Sequence, residues 1–198
     1  MIDRTNKRAT TLAYIKTIHT GSIRGKGGEP DWHHLDRVSR LIEVVLSYTQ
    51  EGTIKEREDM ALAALGHDAL EDTSVTCAEL EVVFGERGLE LIEDMTNRQS
   101  DADQCRYVRQ IASADEQVRI IKLADLIDNS LSVTHQLFVL GSAWCDNYFL
   151  PIIMPMIEAV TKTEFTIFHR SGEILKRLAI SARDILLEEN ERYRLEEK

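Results

Sequence analysis

The chain has 198 residues, enough for one domain that buries a sizeable core without needing a disulfide or a structural metal. Apolar residues make up 43% and charged residues 29% of it, a composition that excludes a disordered or low-complexity protein. Lysine and arginine number 24 against 34 acidic residues, for a net charge of −10. Because so acidic a surface repels phosphodiester backbones, we expect no general nucleic-acid binding.

The cysteines and the N-terminal sequence favour a cytoplasmic location. Cys77, Cys105 and Cys145 are odd in number and far apart, which indicates reduced thiols rather than a disulfide framework. The opening sequence MIDRTNKRATT lacks the apolar stretch of a secretory signal. The longest apolar run, 149–157, is short and contains two prolines, so we expect no membrane span.

Helical periodicity dominates the chain, and no alternating run is long enough to predict a strand, so the predicted fold is all-α. A loop is predicted at 21–32, which holds four of the ten glycines. Thr76 and Glu79 have the spacing of a capping box before a short helix that ends at Gly85. The other predicted helices cover residues 9–20, 35–48, 55–71, 86–96, 104–112, 115–135, 146–163 and 165–196. With neither a repeat nor a linker in the sequence, we expect a single domain over residues 1–198.

The doublet His67-Asp68 follows the apolar stretch 60–66, where burial of an unpaired ionisable group is costly. Both side chains can reach one ion beside the predicted helix, although a salt-bridged or surface pair is the plainer interpretation. Glu71 and Asp72 follow four residues later, so a second acidic pair is expected one turn along. A divalent cation such as Mn, Fe or Zn would compensate the repulsion between these carboxylates. The alternative is that both are exposed and that Asp72 caps the next helix.

Further polar residues recur at two other places. Asp125 and Asn129 share one face of a predicted helix, whereas Asp128 lies on the neighbouring face, where we expect solvent exposure or a salt bridge. His33 and His34 stand where the glycine-rich loop enters a helix, and a surface or capping role is the alternative for each.

Four residues from three separate predicted helices together fit a four-ligand metal site. They are either His33 or His34, together with His67, Asp68 and Asp125. Such a set leaves coordination positions for water and for a phosphate oxygen, as a hydrolytic site requires. Glu71 or Asp72, one turn beyond, can accept a proton from that water or orient it.

Basic residues near this set favour a polyphosphate substrate. Arg24 and Lys26, in the glycine-rich loop, supply positive charge to an otherwise acidic protein. Lys122 can do the same, with a salt bridge on the helix surface as its alternative. The tail 183–198 alternates in charge and predicts either a solvated helix or a contact in a homodimer.

Three stretches carry recognisable motifs. Residues 19–34 contain H-x-G-x-x-R followed by G-E-P and a histidine, residues 65–73 read L-G-H-D-A-L-E-D-T, and residues 121–129 contain I-K-L-A-D-x-x-x-N. These stretches resemble the hydrolase domain of the RelA/SpoT family and its stand-alone small alarmone hydrolases, which are HD-domain metal-dependent phosphohydrolases. They span about residues 10–135, and predicted helices at about 146–196 follow.

The resemblance implies a helical HD-domain bundle with a metal site, most often manganese, between its helices. It also implies hydrolysis of the nucleotide guanosine 3′,5′-bis(diphosphate), ppGpp or pppGpp, to GDP or GTP plus pyrophosphate, in the stringent response. Carried over by position, the metal ligands are His34, His67, Asp68 and Asp125.

The same resemblance assigns roles beside the metal. It implies that Glu71 and Asp72 act on the attacking water and on substrate positioning, and that Arg24 packs against the guanine base. Asn129 and Ser132 occupy nucleotide-contacting positions, the second of which is threonine in the family.

Two departures from the family pattern keep other readings open. Residues 25–27 (Gly-Lys-Gly) stand where the family has Lys-Ser, and Asp31 stands where it has tyrosine. A phosphohydrolase acting on another nucleotide, such as a deoxynucleoside triphosphate or NADPH, is therefore the first alternative. A non-catalytic nucleotide-sensing module is the second, which the intact pair Glu71-Asp72 disfavours. His19 is expected to support the loop rather than to bind metal.

Overall fold

A computed structural model describes residues 4–25, 28–97 and 104–196, and their regular structure is helical apart from one isolated antiparallel bridge between Ile23 and Pro30. The predicted all-α class is thereby confirmed. Within these ranges no helix is both long and apolar enough to cross a membrane. The helices are α1 (Arg4–Ile18), α2 (Trp32–Thr49), α3 (Ile54–Gly66), α4 (Ala69–Asp72), α5 (Cys77–Met95), α6 (Gln104–Ser113), α7 (Glu116–Leu140), α8 (Ser142–Trp144), α9 (Leu150–Thr161) and α10 (His169–Glu196), with a π-helical turn at Cys145–Phe149.

Helix α7 is the central element of the bundle. It packs against α2, α3, α5, α6, α9 and α10. Its apolar residues between Val118 and Ile127 are buried on several sides of the helix, as expected of a helix surrounded by others. One cluster of buried side chains runs from Ile15 on α1 to Ala182 on α10. Any polar side chain that α7 directs inward therefore lies in the middle of the molecule.

The predicted helix 55–71 is wrong in one respect, because it is broken after Gly66. A Cβ at Gly66 would lie 2.7 Å from Phe84 Cζ and 2.8 Å from Ile92 Cδ1, so α5 packs directly on the backbone there. Asp68 then leaves the helical conformation (φ −98°, ψ 0°), and α4 begins at the next residue. The pair His67-Asp68 consequently lies at a junction between two helices rather than along one.

Capping accounts for the bounds of α5. Thr76 and Glu79 form the predicted capping box at its start. Gly85 has φ +77° and interrupts the helix, so the predicted short helix and the predicted helix 86–96 are the two halves of α5.

A glutamate joins the start of α7 to the segment before α10. The Glu116 carboxylate accepts hydrogen bonds from the backbone N–H groups of Thr166, Ile167 and Phe168 at 2.7, 3.0 and 2.9 Å. Burial by itself would raise the pKa of Glu116, but these donors outweigh it and lower the pKa below its usual 4.5. The ionised carboxylate therefore stabilises the folded state.

We expect Glu116→Gln to lower the free energy of unfolding by about 1 kcal/mol at pH 7, because the amide accepts these bonds less strongly than the carboxylate. Since the folded pKa is the lower one, the contribution is present above the unfolded pKa and is lost as the pH falls through the folded value. Urea unfolding at pH 7 and below pH 4 measures this. Glu158→Gln, at an exposed pair with Lys162, is the matched control. An equal loss in both variants would contradict the role given to Glu116.

Candidate metal centre and active site

The structure brings together all four residues expected to hold a metal. His34 comes from the first turn of α2, His67 and Asp68 from the α3–α4 junction, and Asp125 from α7. Asp125 Oδ1 lies 3.1 Å from His34 Nε2 and 3.5 Å from His67 Nε2. Asp68 Oδ1 lies 3.2 Å from His67 Nε2. All but Asp68 are almost wholly buried.

The two imidazoles are oriented by their other nitrogens. His67 Nδ1 donates to the carbonyl of Ala64 at 2.9 Å, and His34 Nδ1 donates to the Asp128 carboxylate at 2.7 Å. In the neutral imidazole, this arrangement leaves a lone pair on Nε2, the nitrogen available to a metal. Among the described residues, neither buried Nε2 finds a hydrogen-bond partner, although Asp125 Oδ1 lies close to both. The two Nε2 atoms and the Asp125 Oδ1 atom thus lie close together in the buried centre of the bundle.

The donor set fits a divalent cation. Two imidazole nitrogens and two carboxylates suit manganese, iron or zinc better than calcium. Burial lowers the pKa of His67, but the charges of Asp68 and Asp125 outweigh it and raise this pKa to about 9. The excess negative charge at this point would be neutralised by a metal ion.

Asp128, Arg37 and Ser132 form a layer of polar side chains next to His34, and the sequence predicts only part of it. Asp128 forms a salt bridge, as predicted, with Arg37 at 2.6 Å, but it also holds His34. Burial would raise the pKa of Asp128, but hydrogen bonds from His34 and Arg37 outweigh it and lower the pKa to about 2. Ser132 Oγ contacts both Asp128 and Arg37 at 3.3 Å. Arg37 was missed, although its position three residues after His34 places it on the same face of α2.

Lys122 is a buried partner of Asp125 rather than a residue of the helix surface. Its Nζ lies 2.8 Å from Asp125 Oδ2 and 5.2 Å from the centre of the Tyr107 ring. Burial lowers the pKa of Lys122, but the negative charge of Asp125 outweighs it and raises the pKa well above its usual value. The predicted salt bridge is present, and its predicted location at the surface is wrong.

The acidic pair Glu71-Asp72 forms part of α4, and both residues are exposed in total surface area although each carboxylate is partly desolvated. Burial of its carboxylate and the charge of Asp68 raise the pKa of Asp72 to about 6. The same two causes raise the pKa of Glu71, which also accepts a hydrogen bond from the backbone N–H of Asn97 at 2.7 Å. Thr76, and not Asp72, caps α5, so the capping alternative is wrong.

The glycine-rich loop is closed as a small hairpin beside this centre. The Arg24 N–H donates to the Glu29 carbonyl at 3.0 Å, and the Asp31 N–H donates to the Ser22 carbonyl at 3.2 Å. The Arg24 guanidinium donates to Asn129, whose amide donates to Asp125 Oδ1 at 2.5 Å. Two of the predicted substrate contacts therefore touch each other.

The other two predicted substrate contacts are placed differently. Ser132 lies in the layer formed by Arg37 and Asp128, one step removed from the four-residue set. Lys26 lies outside the described residues.

No family model matches the chain. It is 33% identical over 103 residues to guanosine-3′,5′-bis(diphosphate) 3′-pyrophosphohydrolase MESH1 of Drosophila melanogaster, a match covering 50% of this chain and about half, 54%, of that protein. It is 33% identical over 131 residues to the protein of the same name from Danio rerio, covering 61% of this chain and 69% of the relative. A solved structure described as "A metazoan ortholog of SpoT hydrolyzes ppGpp and plays a role in starvation responses" aligns with TM-score 0.67 and 22% identity, over 90% of this chain and 96% of that one.

The helical bundle and the His, His-Asp, Asp set between its helices define an HD-domain protein. Within that class, the chain belongs to the guanosine-3′,5′-bis(diphosphate) 3′-pyrophosphohydrolase family.

Asp128 offers a test of the geometry behind the ligands. We expect Asp128→Ala to weaken Mn²⁺ binding about 10–100-fold, because His34 loses the partner that fixes its tautomer and orientation. Isothermal titration with Mn²⁺ measures the change. The control is Asp36→Asn, a carboxylate of α2, the helix of His34, that pairs with Arg8 and Arg40. Unchanged affinity in Asp128→Ala would show that the carboxylate does not orient the site.

Proposed function

We propose that the chain hydrolyses the 3′-diphosphate of guanosine 3′,5′-bis(diphosphate), ppGpp or pppGpp, to pyrophosphate and GDP or GTP, with Mn²⁺ as the metal. One observation carries the proposal. Two buried histidine Nε2 atoms without hydrogen-bond partners among the described residues converge with two carboxylates in a chain of this family.

In this proposal the metal is held by the four-residue set His34, His67, Asp68 and Asp125. A bound divalent ion supplies polarisation of a phosphoryl oxygen and a more acidic water molecule. Lys122 keeps Asp125 ionised from the side opposite the imidazoles, since its ammonium group contacts the other carboxylate oxygen.

The exposed carboxylates act on the open side of the set. Glu71 accepts the proton of the attacking water or orients it, and Asp72 positions the substrate. Support comes from their place in α4, immediately after Asp68, and from the effect of the Asp68 charge on both pKa values.

The substrate is bound at the hairpin and α7. Arg24 packs against the guanine base, while Asn129 and Ser132 contact the nucleotide and Lys26 contacts its phosphates. The contact between Arg24 and Asn129 supports this assignment, because it brings the loop to the edge of the metal set.

We further propose that residues 1–198 act as one catalytic domain on a small-molecule nucleotide in the cytoplasm. The continuous apolar cluster from α1 to α10 supports the single domain, and three free cysteines support the compartment. The tail 183–198 is the proposed homodimer contact. Within it, Arg194 pairs with Asp146 at 2.8 Å, which holds the tail against the rest of the chain.

The deciding experiment is a hydrolysis assay with the purified chain and Mn²⁺. It offers ppGpp, NADPH and a panel of deoxynucleoside triphosphates, and it resolves the products by anion exchange. We expect GDP and pyrophosphate from ppGpp, loss of turnover with EDTA, and recovery with added Mn²⁺. If only another nucleotide is hydrolysed, the proposed substrate is wrong and that nucleotide takes its place. Metal binding without any turnover would favour the nucleotide-sensing module.

Two variants distinguish a residue that binds the metal from a residue that acts on the attacking water. We expect His67→Ala to lose the Mn²⁺ of the four-residue set and activity together, since it removes one of the two Nε2 ligands. Glu71→Gln should retain Mn²⁺ and lower kcat about 10²–10⁴-fold, because a general base contributes about that much. Metal analysis and kinetics on the same samples measure both. Equal loss of metal in the two variants would make Glu71 a ligand.

A further inference from the structure

A second group of metal-ligating side chains lies outside the four-residue set. His19 follows α1, Asp31 precedes α2, and Asp72 ends α4. One ligand atom from each lies within 4.8 Å of the other two. The three residues are distant in sequence, and the fold brings them together beside the α3–α4 junction.

His19 gives the independent observation that points to a ligand. Its side chain is only 1% exposed, yet neither ring nitrogen has a hydrogen-bond partner in the part of the chain that the structure describes. A buried polar atom without a partner costs about 1–3 kcal/mol, so buried imidazoles normally bind something. The backbone of His19 supports the loop, as its carbonyl accepts from the Ser22 N–H, but its ring takes no part in that bond.

The side chains of Asp31 and Asp72 do not cap the described helices that follow them. Asp31 occupies the position before α2 but, among the described residues, its side chain makes no capping hydrogen bond. Asp72 does not cap α5, which Thr76 does. Asp31 also replaces the tyrosine of the family motif, so the carboxylate at this position belongs to this chain rather than to the pattern it resembles.

We propose that His19, Asp31 and Asp72 form a second divalent-cation site, separate from the four-residue set. One imidazole nitrogen and two carboxylate oxygens suit Mn²⁺, and three protein ligands leave positions for water or phosphate oxygens. The use of this cation rests on the proposed function. It would bind a diphosphate oxygen beside the first metal, which is how Asp72 would position the substrate.

The experiment counts bound Mn²⁺ by equilibrium dialysis with elemental analysis, and it records the Mn²⁺ EPR spectrum of the same samples. We expect two Mn²⁺ in the unaltered chain, one in Asp31→Asn and one in His19→Gln, with a magnetic interaction between the two ions only in the unaltered chain. His67→Ala should lose the other ion. His33→Gln is the matched control, because this neighbouring imidazole pairs with Glu29 and belongs to neither group.

One Mn²⁺ in the unaltered chain, two in Asp31→Asn, or loss of both ions from Asp31→Asn would each overturn the proposal. Because His19 is buried, the result for His19→Gln is used only if its circular dichroism spectrum matches that of the unaltered chain. If the spectra differ, the metal count of Asp31→Asn is the test of the proposal. Two bound ions in a chain that leaves ppGpp intact would refute the proposed function and leave the second site standing.

Discussion

The rest of the site depends on one buried carboxylate, that of Asp125. Burying a carboxylate costs several kcal/mol unless charge and hydrogen bonds compensate for it. Here Lys122 contacts one oxygen and the Asn129 amide contacts the other, both from the same helix. That second oxygen is also the one nearest the two bare imidazole nitrogens. The local pairing within α7 thus keeps Asp125 ionised at the centre of the bundle with its Oδ1 near the two histidines, and α2 and the α3–α4 junction pack around it.

The break after Gly66 is the second constraint. On a continuous helix, His67 and Asp68 would diverge by about 100°. Phe84 and Ile92 pack on the Gly66 backbone where α3 ends. Asp68 then leaves the helical conformation, and His67 Nε2 lies 3.2 Å from Asp68 Oδ1. Two of the four polar ligands therefore lie at a helix junction that packs against the apolar side chains of α5.

Much of this could be predicted from the sequence, because the ligands recur in motifs whose spacing follows helical geometry. The all-α class, the capping box at Thr76 and the convergence of four residues from separate helices were all expected. The break at Gly66 was not, because it depends on side chains of α5 that are distant in sequence. Arg37 and the burial of Lys122 were missed for the same reason: single-helix periodicity does not reveal which face a neighbouring helix will cover.

The hairpin at residues 22–31 is tied to the metal set by two routes. One runs from Arg24 through Asn129 to Asp125, and the other from Glu29 through Arg37 and Asp128 to His34. Both routes start at the pair Arg24–Glu29, in which the Arg24 N–H donates to the Glu29 carbonyl. A molecule that displaced Arg24 or Glu29 would therefore act on Asp125 and His34 through these contacts, so occupancy of the hairpin and the orientation of the metal-ligating residues are mechanically linked.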